Sequence, residues 1–153
     1  MSVSSSLSAL QPGSRVLIVG AGLGGAAMAR ALEACDIEVE VVDKRPEISE
    51  SDGAGILLPA NAVAMLDMLG HLDAARAHAR EISGVRLASP EGRELGWVPC
   101  DELSYPTLGM RHARLRDILV AGVSVSFGLT IESMHDEGRL AVSLSDGSMR
   151  HCD

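Results

Sequence analysis

The sequence predicts an α/β fold that opens with a strand, a glycine-rich turn, a helix and a second strand. The β-branched apolar run Arg15–Val19 is typical of a buried parallel strand. Gly20–Gly25 predicts a tight turn, and Ala26–Ala34 is rich in strong helix formers. Ile37–Val42 predicts the second strand, with Asp43 at its carboxyl end. This order of elements indicates a right-handed βαβ unit.

Length and composition favour one compact domain and argue against a nucleic-acid partner. The chain has 153 residues, of which 46% are hydrophobic, enough for an aliphatic core. It contains one Trp, one Tyr and one Phe, whereas single-stranded nucleic acids are bound on aromatic stacking platforms. The formal net charge of −8 would also repel a phosphate backbone.

Cysteine usage and the amino terminus favour a cytoplasmic protein. The three cysteines, Cys35, Cys100 and Cys152, are odd in number and widely spaced, which suits a reducing compartment better than a disulfide framework. Residues 1–13 are Ser-rich without a positively charged start, so they predict a disordered tail rather than a signal peptide. Glycines and Arg30 interrupt the apolar stretch after residue 15, so no membrane span is expected.

The middle of the chain predicts short helices and a β-hairpin. A polar, irregular segment over 44–53 leads into a second glycine loop, Gly53–Gly55. The other predicted elements are a helix from an N-cap at Asn61 to about Leu69, ended by Gly70, a helix over Leu72–Arg80, hairpin arms at Ser83–Ala88 and Arg93–Val98, a loop over Pro99–Thr107, and a helix over His112–Val120.

The last third of the chain predicts short strands joined by turns. The strands are expected at Val123–Phe127, Thr130–His135, Leu140–Leu144 and Ser148–Cys152, with turns at 136–138 and 146–147. The hairpin and these strands are interpreted as insertions on the α/β core.

The glycine spacing GxGxxG, in this context, predicts a dinucleotide-binding site. Gly20 permits the tight turn, Gly22 lets a pyrophosphate approach the backbone, and Gly25 lets the helix pack closely on the strand. The helix N-terminus then faces the phosphates with free N–H groups. The predicted contact residues in this turn are Gly20, Ala21, Gly22, Leu23, Gly24 and Gly25.

Asp43 is placed to accept hydrogen bonds from the two hydroxyls of a ribose. A carboxylate at this position disfavours a 2′-phosphate, which argues against NADP at this site. Lys44 and Arg45 beside it are candidates for adenosine contact, although solvated charges are an equally good interpretation.

The stretch VLIVGAGLGGAAMARALEACDIEVEVVDKRPE resembles the amino terminus of the FAD-dependent class A aromatic hydroxylases, the salicylate and para-hydroxybenzoate hydroxylase group. Two positions depart from the family pattern. Asp36 stands where a glycine is usual, and Asp tolerates the left-handed conformation expected there. Asp43 stands where the family pattern has a glutamate, and it keeps the carboxylate on a shorter side chain.

Three further stretches resemble the same family. GAGILLPANAVAMLDMLGHLDA resembles the segment that passes near the flavin, which places Gly55 beside the cofactor. MRHARLRDIL resembles a segment whose arginine, three residues before a leucine, contacts the cofactor. His112 holds that position here and Arg111 precedes it, so the resemblance leaves open which of them takes the role. LAVSLSDGSMRHCD resembles the β-meander of the family.

The resemblance implies a Rossmann-like FAD/NAD(P)-binding three-layer fold with an inserted β-hairpin and β-meander, incomplete at the C-terminus. Residues 14–153 would be a partial FAD-binding domain, and 82–107 would match the substrate-side hairpin and loop. Members of the family are more than twice this long, and their Gly-Asp motif for the ribityl chain lies further downstream. The implied partners are a complementing C-terminal half or a homo-oligomer.

The implied function is the FAD-binding portion of a flavoprotein monooxygenase. Such an enzyme takes FAD as cofactor and NADH or NADPH as co-substrate, and it hydroxylates or epoxidises a small aromatic or cyclic substrate. No metal is required, and no catalytic residue is assigned. The alternatives are an NAD-dependent or other two-dinucleotide oxidoreductase, and an inactive truncated fragment that binds nucleotide weakly or not at all.

Overall fold

The computed structural model describes residues 10–46, 54–100, 104–136 and 138–153. In chain order the elements are β1 (Arg15–Val19), α1 (Leu23–Glu33), β2 (Glu38–Asp43), β3 (Gly55–Leu58), α2 (Ala60–Met68), α3 (Leu72–Arg76), β4 (Arg80–Ile82), β5 (Gly84–Ala88), β6 (Glu94–Pro99), β7 (Thr107–Arg111), α4 (His112–Val120), β8 (Val125–Phe127), β9 (Ile131–Asp136), β10 (Leu140–Leu144) and β11 (Met149–Cys152). The described residues form two compact units, one of residues 10–46, 122–136 and 138–153 and the other of residues 54–100 and 104–121.

The first unit has three layers. Its central parallel sheet has the strand order β1-β2-β8, with α1 packed against β1 and β2. An antiparallel sheet of order β11-β10-β9 forms the third layer. The two sheets share a cluster of buried side chains, in which Val42 meets Val142, Leu144 and Cys152. The predicted βαβ unit is therefore confirmed, and β9, β10 and β11 form a separate layer beside the core. The interpretation of all the terminal strands as insertions was wrong for β8, which pairs with β2 in the core sheet.

The second unit is built on an antiparallel sheet of order β3-β7-β4, with α2 and α4 packed against β7. Strands β5 and β6 form a separate two-stranded hairpin. Aliphatic side chains from the helices and from β7 are buried in this unit, among them Val63, Leu66, Leu72, Leu108, Met110, Leu115 and Leu119. No helix in the described part of the chain is both long and apolar enough to cross a membrane.

Several sequence predictions agree with the structure at the level of single residues. The strand Arg15–Val19, the helix His112–Val120 and the strand Leu140–Leu144 have the predicted bounds. Gly70, with a φ of +71°, follows the end of α2 as expected. Asp36 adopts the left-handed conformation, with a φ of +58°, which explains how it replaces the usual glycine.

Several predicted strand ends are shifted by one or two residues, and four further predictions were wrong about where a helix or strand lies or how it is capped. Helix α1 begins at Leu23, because Gly22 is the N-cap. Helix α2 begins at Ala60 after an N-cap at Pro59, so Asn61 lies inside the helix and does not cap it. Helix α3 ends at Arg76, because Arg80–Ile82 pairs with β7 as a strand, and this pairing overrides the local helix propensity.

The fourth error concerns the segment that was predicted as a loop up to Thr107. Thr107–Arg111 is β7, the central strand of the sheet in the second unit. Gly109 lowers the strand propensity of this segment, so the sequence did not predict a strand here. A Cβ at Gly109 would lie 3.1 Å from Ile82 Cδ1, so the glycine is the position where the neighbouring strand's side chain crosses β7 closely.

Candidate functional site

The glycine turn of the first unit is closed against the end of β2. Gly20 has a φ of +108°, a conformation that side chains with a Cβ rarely adopt, so this position favours glycine. The Gly20 N–H donates to the carbonyl oxygen of Val42 at 2.7 Å. The turn is therefore held at the carboxyl edge of the parallel sheet, where open α/β sheets bind ligands.

Gly22 and Gly25 shape the start of α1. Gly22 is an extended N-cap without a side-chain hydrogen bond, and the first turn of α1 has no acidic residue. A Cβ on Gly22 would meet no protein atom within 4 Å, whereas a Cβ on Gly25 would overlap the carbonyl oxygen of Gly20. The helix thus packs tightly at Gly25 and leaves open space beside Gly22, where its N-terminal N–H groups favour an anion.

Asp43 lies at the carboxyl end of β2 and is only 4% exposed. Its Oδ2 accepts hydrogen bonds from the Ala21 N–H at 2.7 Å and from Arg45 Nη2 at 2.6 Å. Its Oδ1 accepts from the backbone N–H and the Nε of Arg45, both at 2.9 Å. The hydrogen bond from the Arg45 side chain is the main reason that the pKa of Asp43 lies well below its ordinary value, and burial opposes it only in part.

A cavity of about 400 Å³ brings these groups together with a third segment. It is lined by Val19, Gly20 and Gly22, by Asp43–Arg45, and by Leu129–Ile131. Leu129–Ile131 was not predicted from the sequence as part of this site. The signal that could have found it is its position after β8, since β8 is parallel to β2 and their carboxyl ends meet at one edge of the sheet.

Gly55 and Arg111 lie opposite each other in the second unit. They are paired across the antiparallel strands β3 and β7, so Gly55 is a strand residue and not part of a loop as predicted. Gly53, the other glycine of that predicted loop, lies outside the described residues. Gly55 and Arg111 are far apart in the sequence, so their pairing could not be predicted from it.

Arg111 is the N-cap of α4 and lines a cleft of about 330 Å³ with His78 and Arg114. The Arg114 Nη2 lies 3.0 Å from the Nε2 of His78. His112 is the first residue of the helix, and its backbone N–H donates to the carbonyl oxygen of Ala54 at 3.2 Å. Arg111 is thus the side chain of the pair that faces the cleft. In the described part of the chain, no group of three or more His, Cys, Asp or Glu side chains could hold a metal ion.

Comparison with known proteins identifies the family. Residues 14–139 match the family described as FAD binding domain. The chain belongs to this FAD-binding family. A curated relative, the aurachin C monooxygenase/isomerase of Stigmatella aurantiaca, is 30% identical over 146 residues, which cover 90% of this chain and 38% of the relative. The 3-hydroxybenzoate 6-hydroxylase of Klebsiella oxytoca is 48% identical over 65 residues, which cover 42% of this chain and 16% of that protein.

Solved structures support the fold of this FAD-binding domain. The HpxO protein of Klebsiella pneumoniae, complexed with FAD, superposes with a TM-score of 0.78 at 22% identity, over 92% of this chain and 38% of that one. A tetrameric form of 2-methyl-3-hydroxypyridine-5-carboxylic acid oxygenase gives a TM-score of 0.78 at 23% identity and the same coverage. The chain spans about two fifths of the length of these proteins.

The residues of the first unit fit the adenosine diphosphate half of FAD. A diphosphate needs N–H donors, and the start of α1, whose first turn has no acidic residue, supplies them beside the open space at Gly22. A carboxylate can accept hydrogen bonds from ribose hydroxyls, and Asp43 lines the same cavity. The chemistry of the cavity therefore agrees with the cofactor of the family.

Proposed function

We propose that this chain is the FAD-binding portion of a flavoprotein monooxygenase that hydroxylates or epoxidises a small aromatic or cyclic substrate, with NADH or NADPH as co-substrate. The observation that carries this proposal is the cavity that joins the start of α1 to Asp43, within a chain that matches the FAD-binding family along most of its length. Bound FAD would supply the redox chemistry, and this chain would bind and orient its adenosine half.

In this proposal each part of the cofactor has its own residues. Gly20, Ala21, Gly22, Leu23, Gly24 and Gly25 form the turn around the pyrophosphate. The N–H groups at the start of α1 hold it, because those of Gly20 and Ala21 already donate to Val42 and Asp43. Asp43 would bind the ribose, and Lys44 and Arg45, which line the same cavity, would contact the adenosine. By resemblance to the family, Gly55 and Arg111 of the second unit are also proposed as cofactor contacts. They share one strand pair, and Arg111 lines a cleft of that unit.

The hydrogen bonds of Asp43 add a condition to ribose binding. A carboxylate offers about four lone-pair sites, and Asp43 already accepts four hydrogen bonds. A ribose hydroxyl can therefore bond to Asp43 only when it replaces a present donor. The Arg45 side chain is the donor that can leave, because it is 35% exposed whereas the Ala21 N–H is buried in the turn. Adenosine binding is thus an exchange in which ribose hydroxyls replace the Arg45 guanidinium.

The protein is proposed to be cytoplasmic and to act as a homo-oligomer or together with a complementing C-terminal half. Tetramer formation by one structural relative supports assembly in this fold. NAD(P)H oxidation by the chain alone should be slight, because the chain spans about two fifths of its relatives' length. Sustained NAD(P)H oxidation by the isolated chain would contradict this expectation.

Isothermal titration calorimetry tests the cofactor assignment. FAD should bind and NADH should bind more weakly or not at all. Asp43→Asn should weaken FAD binding about tenfold or more, because it removes the charge from a carboxylate that accepts hydrogen bonds. Asp36→Asn is the matched control, since Asn also tolerates the left-handed conformation at this exposed position. Equal loss of affinity in both variants, or preferential binding of NADH, would refute the assignment.

A further inference from the structure

The ion pair between Asp43 and Arg45 occupies the carboxylate at which a ribose would bind. The four hydrogen bonds that Asp43 accepts are of two kinds. The backbone N–H groups of Ala21 and Arg45 donate one each, to Oδ2 and to Oδ1. The Arg45 side chain donates the other two, from Nη2 to Oδ2 and from Nε to Oδ1. A ribose has two hydroxyls, which match in number the two bonds from the side chain.

The backbone around this ion pair is held by the segment after β8. The Leu129 N–H donates to the carbonyl oxygen of Asp43 at 3.0 Å, and the Gly128 N–H donates to that of Arg45 at 2.8 Å. The Arg45 N–H also donates to Asp43 Oδ1 at 2.9 Å. The carboxylate is therefore released by rotation of the Arg45 side chain, while the backbone of both residues stays in place.

Ribose hydroxyls alone are poor competitors for this carboxylate. Asp43 is only 4% exposed, so loss of the guanidinium would leave a buried negative charge without this cation. A hydroxyl can donate a hydrogen bond, but it brings no positive charge. The guanidinium brings both a charge and a planar fork that fits the two carboxylate oxygens. The exchange becomes favourable when the released guanidinium gains another anion.

The same cavity has room for that anion. It is lined by Gly20 and Gly22 as well as by Asp43–Arg45. Arg45 Nη2 and the Ala21 N–H donate to one oxygen of Asp43, so the guanidinium lies beside the glycine turn. A diphosphate at the start of α1 would share this cavity with Arg45. A guanidinium pairs with a phosphate in the same forked manner as with a carboxylate.

We propose that Arg45 changes its ion-pair partner when the nucleotide binds, from Asp43 to the diphosphate. The site thereby selects ligands that carry both a ribose and a diphosphate. This inference rests on the proposed function, because it concerns the adenosine diphosphate half of FAD. Arg45 keeps an anionic partner throughout, and the ribose hydroxyls replace its two side-chain bonds to Asp43. Arg45 is thus a specificity-determining residue, which disfavours a nucleoside and favours its diphosphate.

Isothermal titration calorimetry of the full chain with adenosine and with ADP tests the exchange. ADP should bind the wild type at least about a hundredfold more tightly than adenosine. Arg45→Met keeps a long side chain but has no N–H donor. In this variant adenosine affinity should rise about tenfold and ADP affinity should fall about tenfold. Lys44→Met is the matched control, because Lys44 lines the same cavity but the described donors to Asp43 are Ala21 and Arg45. It should not raise the affinity for adenosine.

NMR of the wild-type chain, ¹⁵N-labelled at arginine, follows the guanidinium directly. The Arg45 Nε–H signal, assigned by its loss in Arg45→Lys, should shift with ADP and stay in place with adenosine or with inorganic pyrophosphate. This result decides alone if circular dichroism shows that Arg45→Met is unfolded.

The outcomes separate this inference from the cofactor assignment. ADP binding without a shift of the Arg45 signal, or a shift with adenosine or pyrophosphate alone, would overturn the inference and leave the assignment intact. An adenosine affinity that does not rise in folded Arg45→Met, or that rises equally in Lys44→Met, would do the same. Absence of ADP binding to the wild type would overturn both.

Discussion

The close packing of α1 on the glycine turn can be tested by adding a single methyl group at two neighbouring glycines. Gly24 and Gly25 both lie in the first turn of α1, so alanine brings each the same gain in helix propensity, up to about 1 kcal/mol. Their surroundings differ. A Cβ at Gly24 would meet no atom within 4 Å, whereas a Cβ at Gly25 would overlap the Gly20 carbonyl oxygen and lie 3.2 Å from Ile18 Cγ2.

The magnitude follows from the difference between these two sites. The atom in the way of Gly25→Ala belongs to the backbone of a turn, so it cannot rotate aside, and overpacking of this kind costs about 1–3 kcal/mol. The propensity gain is common to both variants and cancels. Gly25→Ala should therefore be about 1–3 kcal/mol less stable than Gly24→Ala.

Urea unfolding followed by far-ultraviolet circular dichroism measures this difference. The slope of the unfolding free energy against urea should stay the same in both variants, so that the midpoint reports stability. Equal midpoints for the two variants would refute the packing argument. A Gly24→Ala variant that is less stable than Gly25→Ala would refute it as well.

Three other predictions concern pH, the hairpin and the thiols. The folded-state pKa of Asp43 lies below its ordinary value of 3.8, so its contribution to stability is complete above that value and is lost as pH falls below it. Asp43→Asn should flatten the fall in unfolding free energy below about pH 4, and an unchanged acid profile would count against this. Gly84→Ala should shift the fluorescence of Trp97, the one tryptophan of the chain, because a Cβ there would run into the indole ring. Gly96→Ala, which has open space, is the control and should leave the spectrum unchanged. Ellman's reagent should label Cys35 rapidly and the two buried thiols only on unfolding, and three equally fast thiols would contradict the fold.

Much of the first unit could be predicted from sequence because its signals are local. An apolar β-branched run predicts β1. The residue types at positions 20 and 36 predict turns, and both Gly20 and Asp36 have a positive φ. The GxGxxG spacing also gives the roles of Gly20 and Gly25 in the packing, which the geometry bears out. These features depend on the conformational limits of one or two residues, and such limits do not change with tertiary context.

The features that sequence did not predict are those created by distant contacts. β7 is a strand because β3 and β4 pair with it on both sides, although its own residues give a weak strand signal. The segment Leu129–Ile131 reaches the cavity only because β8 lies beside β2. The hydrogen bonds that the Arg45 side chain donates to Asp43 depend on side-chain conformation, which the spacing of residues does not specify.

The start of α1 has a consequence for the speed at which a charged ligand arrives. The chain carries a formal net charge of −8, so its overall field repels a diphosphate at long range. The attraction at α1 comes from local N–H dipoles, which act only within a turn of the helix. Added salt screens the first effect more than the second, because repulsion acts across solvent. Association of FAD should therefore be faster at higher ionic strength, the reverse of an electrostatically steered encounter.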